Sequence, residues 1–308
     1  MAEKTRIVLG TATPGGGFPA YGDPYAQIMN EMDDTLALET RNTKGSNENV
    51  VLLDAGKLDL GLVTGEVTYE AINGLGRPKA NGIRIINATY SQAGMFMVRA
   101  DTPYQRIADL AGKPVVWGAA SSGFIVLARY VMDGLGYDYQ QHFDAILLEK
   151  AGDGPPKVID GSAAAMWGGG VGWPPFTAIA GNPKGARFIS PGADEIKRIQ
   201  ARHAFLKGMT MPAGSYPGQS APLNSVGSWP FVMARASLPD DVAYRLARAL
   251  HRAQKVFGER LEQARESTLA NTLAAAPTRD LIHPGVLRYM READLQQTLR
   301  GARTGGVN

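Results

Sequence analysis

The sequence predicts an α/β protein built as two doubly wound lobes joined by two crossing hinge strands, and three observations carry that reading. Short β-rich runs alternate with helical patterns, which implies mostly parallel sheets with helices on their faces. The alternation passes through two similar cycles: "LLDAGKLDLGLVTG" ends a helix at Asp54 to Gly56 and begins a strand stopping at Thr64 and Gly65, and "VIDGSAAAMWGGG" does the same at Asp160-Gly161 and Trp167-Gly168. The length, 308 residues, suits two lobes that each bury a core.

The first cycle opens on the strand "RIVLG", followed by the glycine loop "GTATPGGGF" and a helix over "DPYAQIMNEM". A strand in "TLALET", a helix in "SNENVVLLDAG", a strand in "LDLGLV", a helix in "EVTYEAING" and a strand in "GIRIINATY" complete it. The second cycle reads "KPVVWGA", "SGFIVLARYVMDGLG", "AILLE", "PPKVIDG", "SAAAMW", "PPFTAIAG" and "ARFIS" in the same alternation. Two apolar strands that each end in Arg-Ala, "MFMVRADTP" and "FVMARASLP", flank the second cycle and are expected to cross between lobes. Hinge strands near 95–99 and 230–234 then divide the chain into lobe I, residues 1–96 plus 230–308, and lobe II, residues 97–229. In the tail, Ser237 is placed to cap a helix beginning near Pro239, and Val242, Leu246, Leu250, Ala253, Phe257 and Leu261 recur at helical spacing. That amphipathic helix needs a core to cover.

Composition excludes several function classes. The apolar and charged fractions, 44% and 20%, are those of a globular chain, and no apolar run reaches the length that spans a bilayer. The net charge of +3 comes from basic residues interleaved with acids, as in "YRLARALHRAQKVFGERLEQ". That is a solvated helix face rather than a nucleic-acid footprint. Absence of cysteine removes disulfides, thiolate nucleophiles and cysteine metal sites together. The start, "MAEKTRIVLG", carries no apolar h-region, so the sequence leaves two readings open: a cytosolic protein, or an exported one whose signal peptide has been removed.

"GGGFPA" formally fits a dinucleotide fingerprint with Glu39 as the ribose acid, but Gly15 comes five residues after Gly10, the end of the strand, and Pro19 occupies the intended first helical turn. No Gly-Lys-Ser/Thr follows to make a nucleotide-phosphate loop. His142, His203, His251 and His283 stand far apart, so neither a metal site nor a cofactor is expected. Ser46, Ser121 and Ser122 read as helix caps before they read as nucleophiles. The glycine-bearing loops share a position at carboxyl ends of strands or starts of helices. These loops are Gly15, Gly16 and Gly17 with Phe18; Gly45 and Ser46 with Asn47 and Asn49; Thr64 with Gly65 and Glu66; Ser121, Ser122 and Gly123; and Trp167 with Gly168, Gly169 and Gly170. Ligands of open α/β sheets bind there, where free backbone N–H groups and helix dipoles favour anions. Tyr21, Trp167 and Trp173 supply candidate aromatic walls, whereas Glu48 and Glu66 would oppose an anion placed beside them. The expected arrangement sets the N–H groups of Gly16, Gly17 and Phe18 across a cleft from those of Ser122 and Gly123.

The order "GTATPGGGF", "TKGSNENVVLLDAGKLDLGLVTGEV", "LAGKPVVWGAASSG", "MWGGGVGWPPFTAIAG", "MPAGSYPGQ", "SVGSWPFVMARASLPDD" and "LIHPGVLRYMRE" resembles the solute receptors of TRAP transporters of the TAXI family. The resemblance runs over essentially the whole chain. It implies a type II periplasmic-binding-protein fold, an extracytoplasmic, periplasmic location and no catalytic residues. It also implies delivery of a carboxylate or an amino acid such as glutamate to a TRAP-type membrane permease, and a monomer is expected. Carried over by position, the loops at 15–17, 46–49, 64–66, 121–123 and 167–170 would line the site. The tryptophans of "MWGGGVGW" depart from the family pattern and suit an apolar or aromatic carboxylate better than glutamate. The alternative is an enzyme on the same scaffold, with Glu66 and either Tyr69 or Asp160 as acid and base.

Overall fold

The apolar runs assemble into two mixed sheets in a computed structural model, which describes residues 4–293. In chain order the first part contains β1 (Thr5–Gly10), α1 (Gly17–Met32), β2 (Leu36–Arg41), α2 (Ser46–Asp54), β3 (Leu60–Val63), α3 (Gly65–Asn73) and β4 (Ile83–Ala88). The middle contains β5 (Gln92–Arg99), β6 (Pro114–Ala119), α4 (Gly123–Leu135), β7 (Asp144–Leu148), α5 (Gly154–Asp160), β8 (Ala165–Gly169), α6 (Pro174–Ala180), β9 (Ala186–Ile189), α7 (Ala193–Arg202), β10 (Lys207–Met211) and β11 (Leu223–Ser228). The last part contains β12 (Phe231–Arg235), α8 (Asp240–Arg260), α9 (Leu269–Ala275) and α10 (Pro284–Glu292).

One sheet has the order β2-β1-β3-β12-β4, with β1 parallel to β2 and β3, and β12 antiparallel to β3 and β4. The other runs β10-β11-β5-β8-β6-β7, with β9 added beside β5. Each sheet has its own apolar core, and Tyr130 and Trp229 pack against both. Among the described residues, no helix is long and apolar enough to cross a membrane.

The chain changes sheet at residues 89–91 and again at 229–230. The two crossings are bonded to each other: the Thr89 N–H and Oγ–H both donate to the Pro230 carbonyl, at 2.9 and 3.1 Å. The stretches near 95–99 and 230–234, expected as hinges, are instead interior strands. β5 pairs with β8, β9 and β11, and β12 lies between β3 and β4. Their unbroken apolar runs require pairing on both sides, which confines the change of sheet to the short polar and proline-bearing links before them. The ends of the expected first lobe, residues 1–3 and 294–308, lie outside the described residues.

Two helix starts differ from the sequence reading. α1 begins at Gly17, six residues ahead of the expected Asp23, because Gly16 takes an extended conformation and Pro19 falls in the first turn, where its missing N–H costs nothing. α8 begins at Asp240, directly after Pro239, but Ser237 does not cap it; its Oγ accepts from the Arg235 guanidinium at 2.7 Å. Val242, Leu246, Leu250, Ala253 and Phe257 form the buried stripe of α8, and Leu261 lies just past the last turn.

Candidate functional site

Each of α1, α2, α3 and α4 starts after the carboxyl end of a strand, and all four starts meet at one cavity between the sheets. The cavity has about 40 Å³ of interior space, enough for a group of a few heavy atoms. Its lining includes Gly16, Gly17 and Phe18 from α1, Ser46 from α2, Thr64 before α3, and Ser122, Gly123 and Phe124 around the start of α4. The first N–H groups of a helix have no intrahelical acceptor, so four helix starts concentrate free donors and positive dipole ends in one place.

The donors are not quite those expected. The Gly16 N–H turns back to the Thr13 carbonyl at 3.4 Å, and that of Ser122 turns back to the Ala119 carbonyl at 2.8 Å. Tight turns at both helix entrances therefore consume these two groups. The Ser122 hydroxyl accepts from the Phe124 N–H at 3.2 Å. The N–H groups of Gly17, Phe18 and Gly123 are left without an acceptor among the described residues.

The "GSNEN" loop is a brace as much as a lining. The Ser46 hydroxyl accepts from the Thr64 N–H at 3.1 Å, tying the starts of α2 and α3 together. Asn49 donates through Nδ2 to the carbonyls of Gly10, Thr11 and Leu62, joining the ends of β1 and β3 from inside the core. Glu48 accepts from the Lys44 N–H at 2.6 Å, which turns its carboxylate back toward its own loop. Thr64 is buried, and its side chain is among the groups that favour the charged form of the nearby Glu66 carboxyl.

Several bonds cross between the lobes at the cavity rim. Asn47 Nδ2 donates to the Ser121 carbonyl at 3.0 Å, the Ala151 N–H to Thr13 Oγ1 at 3.2 Å, and the Gly152 N–H to the Pro14 carbonyl at 3.4 Å. Gly15, at φ +80°, lies against Gly152 so closely that a Cβ would meet its backbone. Farther out, Glu70 of α3 takes Arg129 and Tyr130 of α4 as well as Arg77. The Tyr69 ring stacks on Phe205 with centroids 4.0 Å apart and an interplanar angle of 6°. The lobes are closed on one another.

Trp173 forms one wall, against Gly17. A Cβ on Gly17 would lie 2.8 Å from Trp173 Cδ1 and 3.2 Å from the Tyr90 hydroxyl, so only glycine allows this approach. Trp173 is held in turn by Tyr216 of the "PAGSYPGQ" loop, whose hydroxyl accepts from the Trp173 N–H at 2.8 Å and donates to the Gly170 carbonyl at 2.7 Å.

The remaining expected site residues lie outside the lining. Tyr21 is in the aromatic core, stacked with Tyr25 and bonded to Ser267, and burial raises its pKa. Trp167 is in the core of the second sheet, its indole N–H on the Phe124 carbonyl at 2.9 Å. β8 carries it there because adjacent strand residues face opposite sides. Gly168 makes room for Trp173, Gly169 packs on the backbone of Ala93, and Gly170 supplies the carbonyl for Tyr216. Asn49 and Gly65 are structural, Gly65 packing on Ser228, while Gly15, Asn47 and Ser121 make the contacts between lobes already described. Glu66 is fully buried in the seam, where the Ser228 hydroxyl donates to it at 2.5 Å; burial pushes its pKa up to about 7.

The lining also includes Gly45, from a loop the sequence reading singled out, and Ala12, Thr13, Lys44, Gln92, Ala119 and Ala151, which it did not select. Thr13 and Lys44 stand inside loops already singled out, and their polarity was the available signal. Gln92 and Ala151 carry no signal in type or spacing, because the return of the chain through the hinge brings them there.

Residues 9–293 match the model of the family described as the NMT1-like family. Among solved structures, one described as a periplasmic transporter aligns at 16% identity over 85% of this chain and 87% of its own, with a TM-score of 0.56. Tv2483 bound to L-arginine aligns at 12% identity over 85% of this chain and 92% of its own, with a TM-score of 0.54. An ancestral arginine-binding protein bound to arginine aligns at 11% identity over 85% and 99%, with a TM-score of 0.52. At such identities the likeness is one of fold, the two-lobed type II fold of periplasmic substrate-binding proteins.

Proposed function

The chain belongs to the NMT1-like family, and from that premise we propose that it is an extracytoplasmic solute-binding receptor that closes on a small organic acid and hands it to a membrane permease. The observation that carries this reading is the convergence of four helix starts, from both lobes, on one small cavity whose rim is bonded across the cleft. A hinge of two short, mutually bonded crossings suits opening and closing of this kind. The combination of "GSNEN", "PAGSYPGQ" and "LIHPG" supports the finer assignment to receptors of the TAXI type, a TRAP-type permease as partner and a monomeric receptor.

The enzyme reading has less support. Glu66 is engaged by Ser228, Tyr69 by Phe205, and Asp160 accepts from the Ser162 N–H at 2.8 Å in the turn after α5. None of the three lines the cavity.

A thermal-shift screen of small organic solutes tests the receptor reading. A ligand present at a hundred times its dissociation constant stabilises the folded protein by about 2.7 kcal/mol. The expected result is a raised Tm with the solute recovered unchanged. Conversion of the solute to product would overturn it in favour of the enzyme.

A further inference from the structure

We propose that Glu70 is a positioning residue for solute capture: it latches α4 of the second lobe against the first, holds the start of that helix at the cavity, and keeps a closed population in the solute-free protein. The proposal rests on the receptor reading. Glu70 belongs to α3, and its side chain is only 5% exposed. Donors reach its carboxylate from both lobes: the Arg77 guanidinium at 3.1 Å from its own, and from α4 the Arg129 guanidinium and the Tyr130 hydroxyl, the latter at 3.1 Å. Arg77 also donates to Asn47 Oδ1, and Asn47 Nδ2 donates to the Ser121 carbonyl at 3.0 Å, in the turn that leads into α4. One continuous chain of polar contacts therefore grips α4 twice, at its start and about two turns along. A single bond at the start would leave the helix free to pivot. Two fix its direction, and that start carries Gly123 into the cavity lining.

An interaction shifts the balance between open and closed forms only by the difference it makes between them. The Glu70–Arg77 pair lies within one lobe and survives opening, so the carboxylate has a cation beside it in both forms. Arg129 and Tyr130 stand on the other lobe and reach Glu70 only when the cleft is shut, so their bonds count wholly toward closure. The second lobe holds Tyr130 ready for this contact. Its ring meets His203 and Phe205 edge-on, with centroids 4.9 Å away in each case, and Phe205 stacks in turn on Tyr69, the neighbour of Glu70. Glu70→Gln does more than delete an attraction. It leaves Arg77 and Arg129, two like charges, facing one another across the seam with no carboxylate between them.

The experiment is a distance measurement by double electron–electron resonance on the whole, solute-free protein. The chain has no cysteine, so Val51→Cys and Leu147→Cys, at exposed positions on the first and second lobes and outside the cavity lining, accept one spin label each. The labelled parent is expected to show a population at the Val51–Leu147 separation of this closed structure, which Glu70→Gln, Arg129→Gln and Tyr130→Phe each reduce severalfold. Arg129 is half-exposed and Tyr130→Phe keeps the ring, so both decide the matter should Glu70→Gln disturb the fold. Raised ionic strength should shrink the closed population in the parent and not in Glu70→Gln. Arg260→Gln, which breaks the Arg260–Glu31 pair within the first lobe, should leave the population unchanged. A parent without the closed population, a parent insensitive to salt, distributions that the latch substitutions leave unaltered, or an equal loss in Arg260→Gln each overturns the proposal. The receptor reading stands or falls separately, by the thermal-shift screen, because no solute enters this measurement.

Discussion

Glu66 is a carboxyl group that folding carries from water into the seam between the lobes, where desolvation outweighs the bond from Ser228 and raises its pKa from 4.5 to about 7. Between those values the folded protein holds a proton that the unfolded chain releases. The share of stability that this group contributes is therefore full at or below about pH 4.5, falls as pH rises, and is lost above about pH 7, a decrease on the order of 3 kcal/mol. Urea unfolding from pH 5 to 8 should show this slope, and Glu66→Gln, which still accepts from Ser228, should flatten it. A slope that survives the substitution assigns the effect elsewhere. His283 behaves oppositely: burial lowers its pKa, so its share of stability is present above the ordinary histidine range and is lost as pH falls through the lowered value. Burial outweighs the pull of the Leu238 carbonyl, which lies 3.0 Å from Nε2, while Nδ1 accepts from the Gly285 N–H at 3.2 Å. This accounts for the whole "HPG" triplet. His283 caps α10, Pro284 fills its first position, and Gly285 passes so close to the Asp240 carbonyl that no side chain fits.

The "PAGSYPGQ" loop shows how an element far from the cavity shapes it. Gly214 and Gly218 take positive φ, and the Gly214 N–H bonds to the Gln219 carbonyl at 2.8 Å, which closes the loop on itself. The loop presents the Tyr216 hydroxyl to both sides of the turn carrying Trp173. Tyr216→Phe should destabilise the fold by about 1 to 2 kcal/mol, since two buried backbone groups lose their partner. It should also weaken solute binding and change tryptophan emission, because Trp173 loses its support. Unaltered affinity with a lowered Tm would make the loop a stability element alone. "GSNEN" works similarly: Gly45 and Ser46 reach the cavity lining, while Asn49 holds two strand ends and Asn47 reaches across the cleft.

For the whole molecule, the decisive contact is between lobes, where Gly17 of one meets Trp173 of the other. Each lobe has its own core, so a residue that obstructs only the contact should leave both folded. Gly17→Val is therefore expected to keep the unliganded Tm nearly unchanged while abolishing ligand-induced stabilisation and compaction, the latter read by small-angle X-ray scattering. A sharply lowered unliganded Tm with compaction preserved would make the loop a structural turn. The rim bonds and the stack of Tyr69 on Phe205 act in the same direction, holding the closed form once the cleft has shut.

Local periodicity was enough to read the α/β alternation, the long helix covering the first core and the existence of two cycles, because each depends on side chains a few residues apart. Glycine loops after strand ends announced a ligand cleft for the same reason: the need for close approach to the backbone is written in residue type. What could not be read locally was which loop residues face the cleft. Trp167 and Trp173 look equivalent in sequence, yet strand pleating sends the first into a core and the turn held by Tyr216 sends the second to the cavity. The N–H groups of Gly16 and Ser122 look as free as those of Gly17 and Gly123 until the turns that engage them are formed. Gln92 and Ala151 enter the lining only because two crossings bonded to each other fold one lobe over the other. Such facing is set by long-range packing, and no spacing along the chain encodes it.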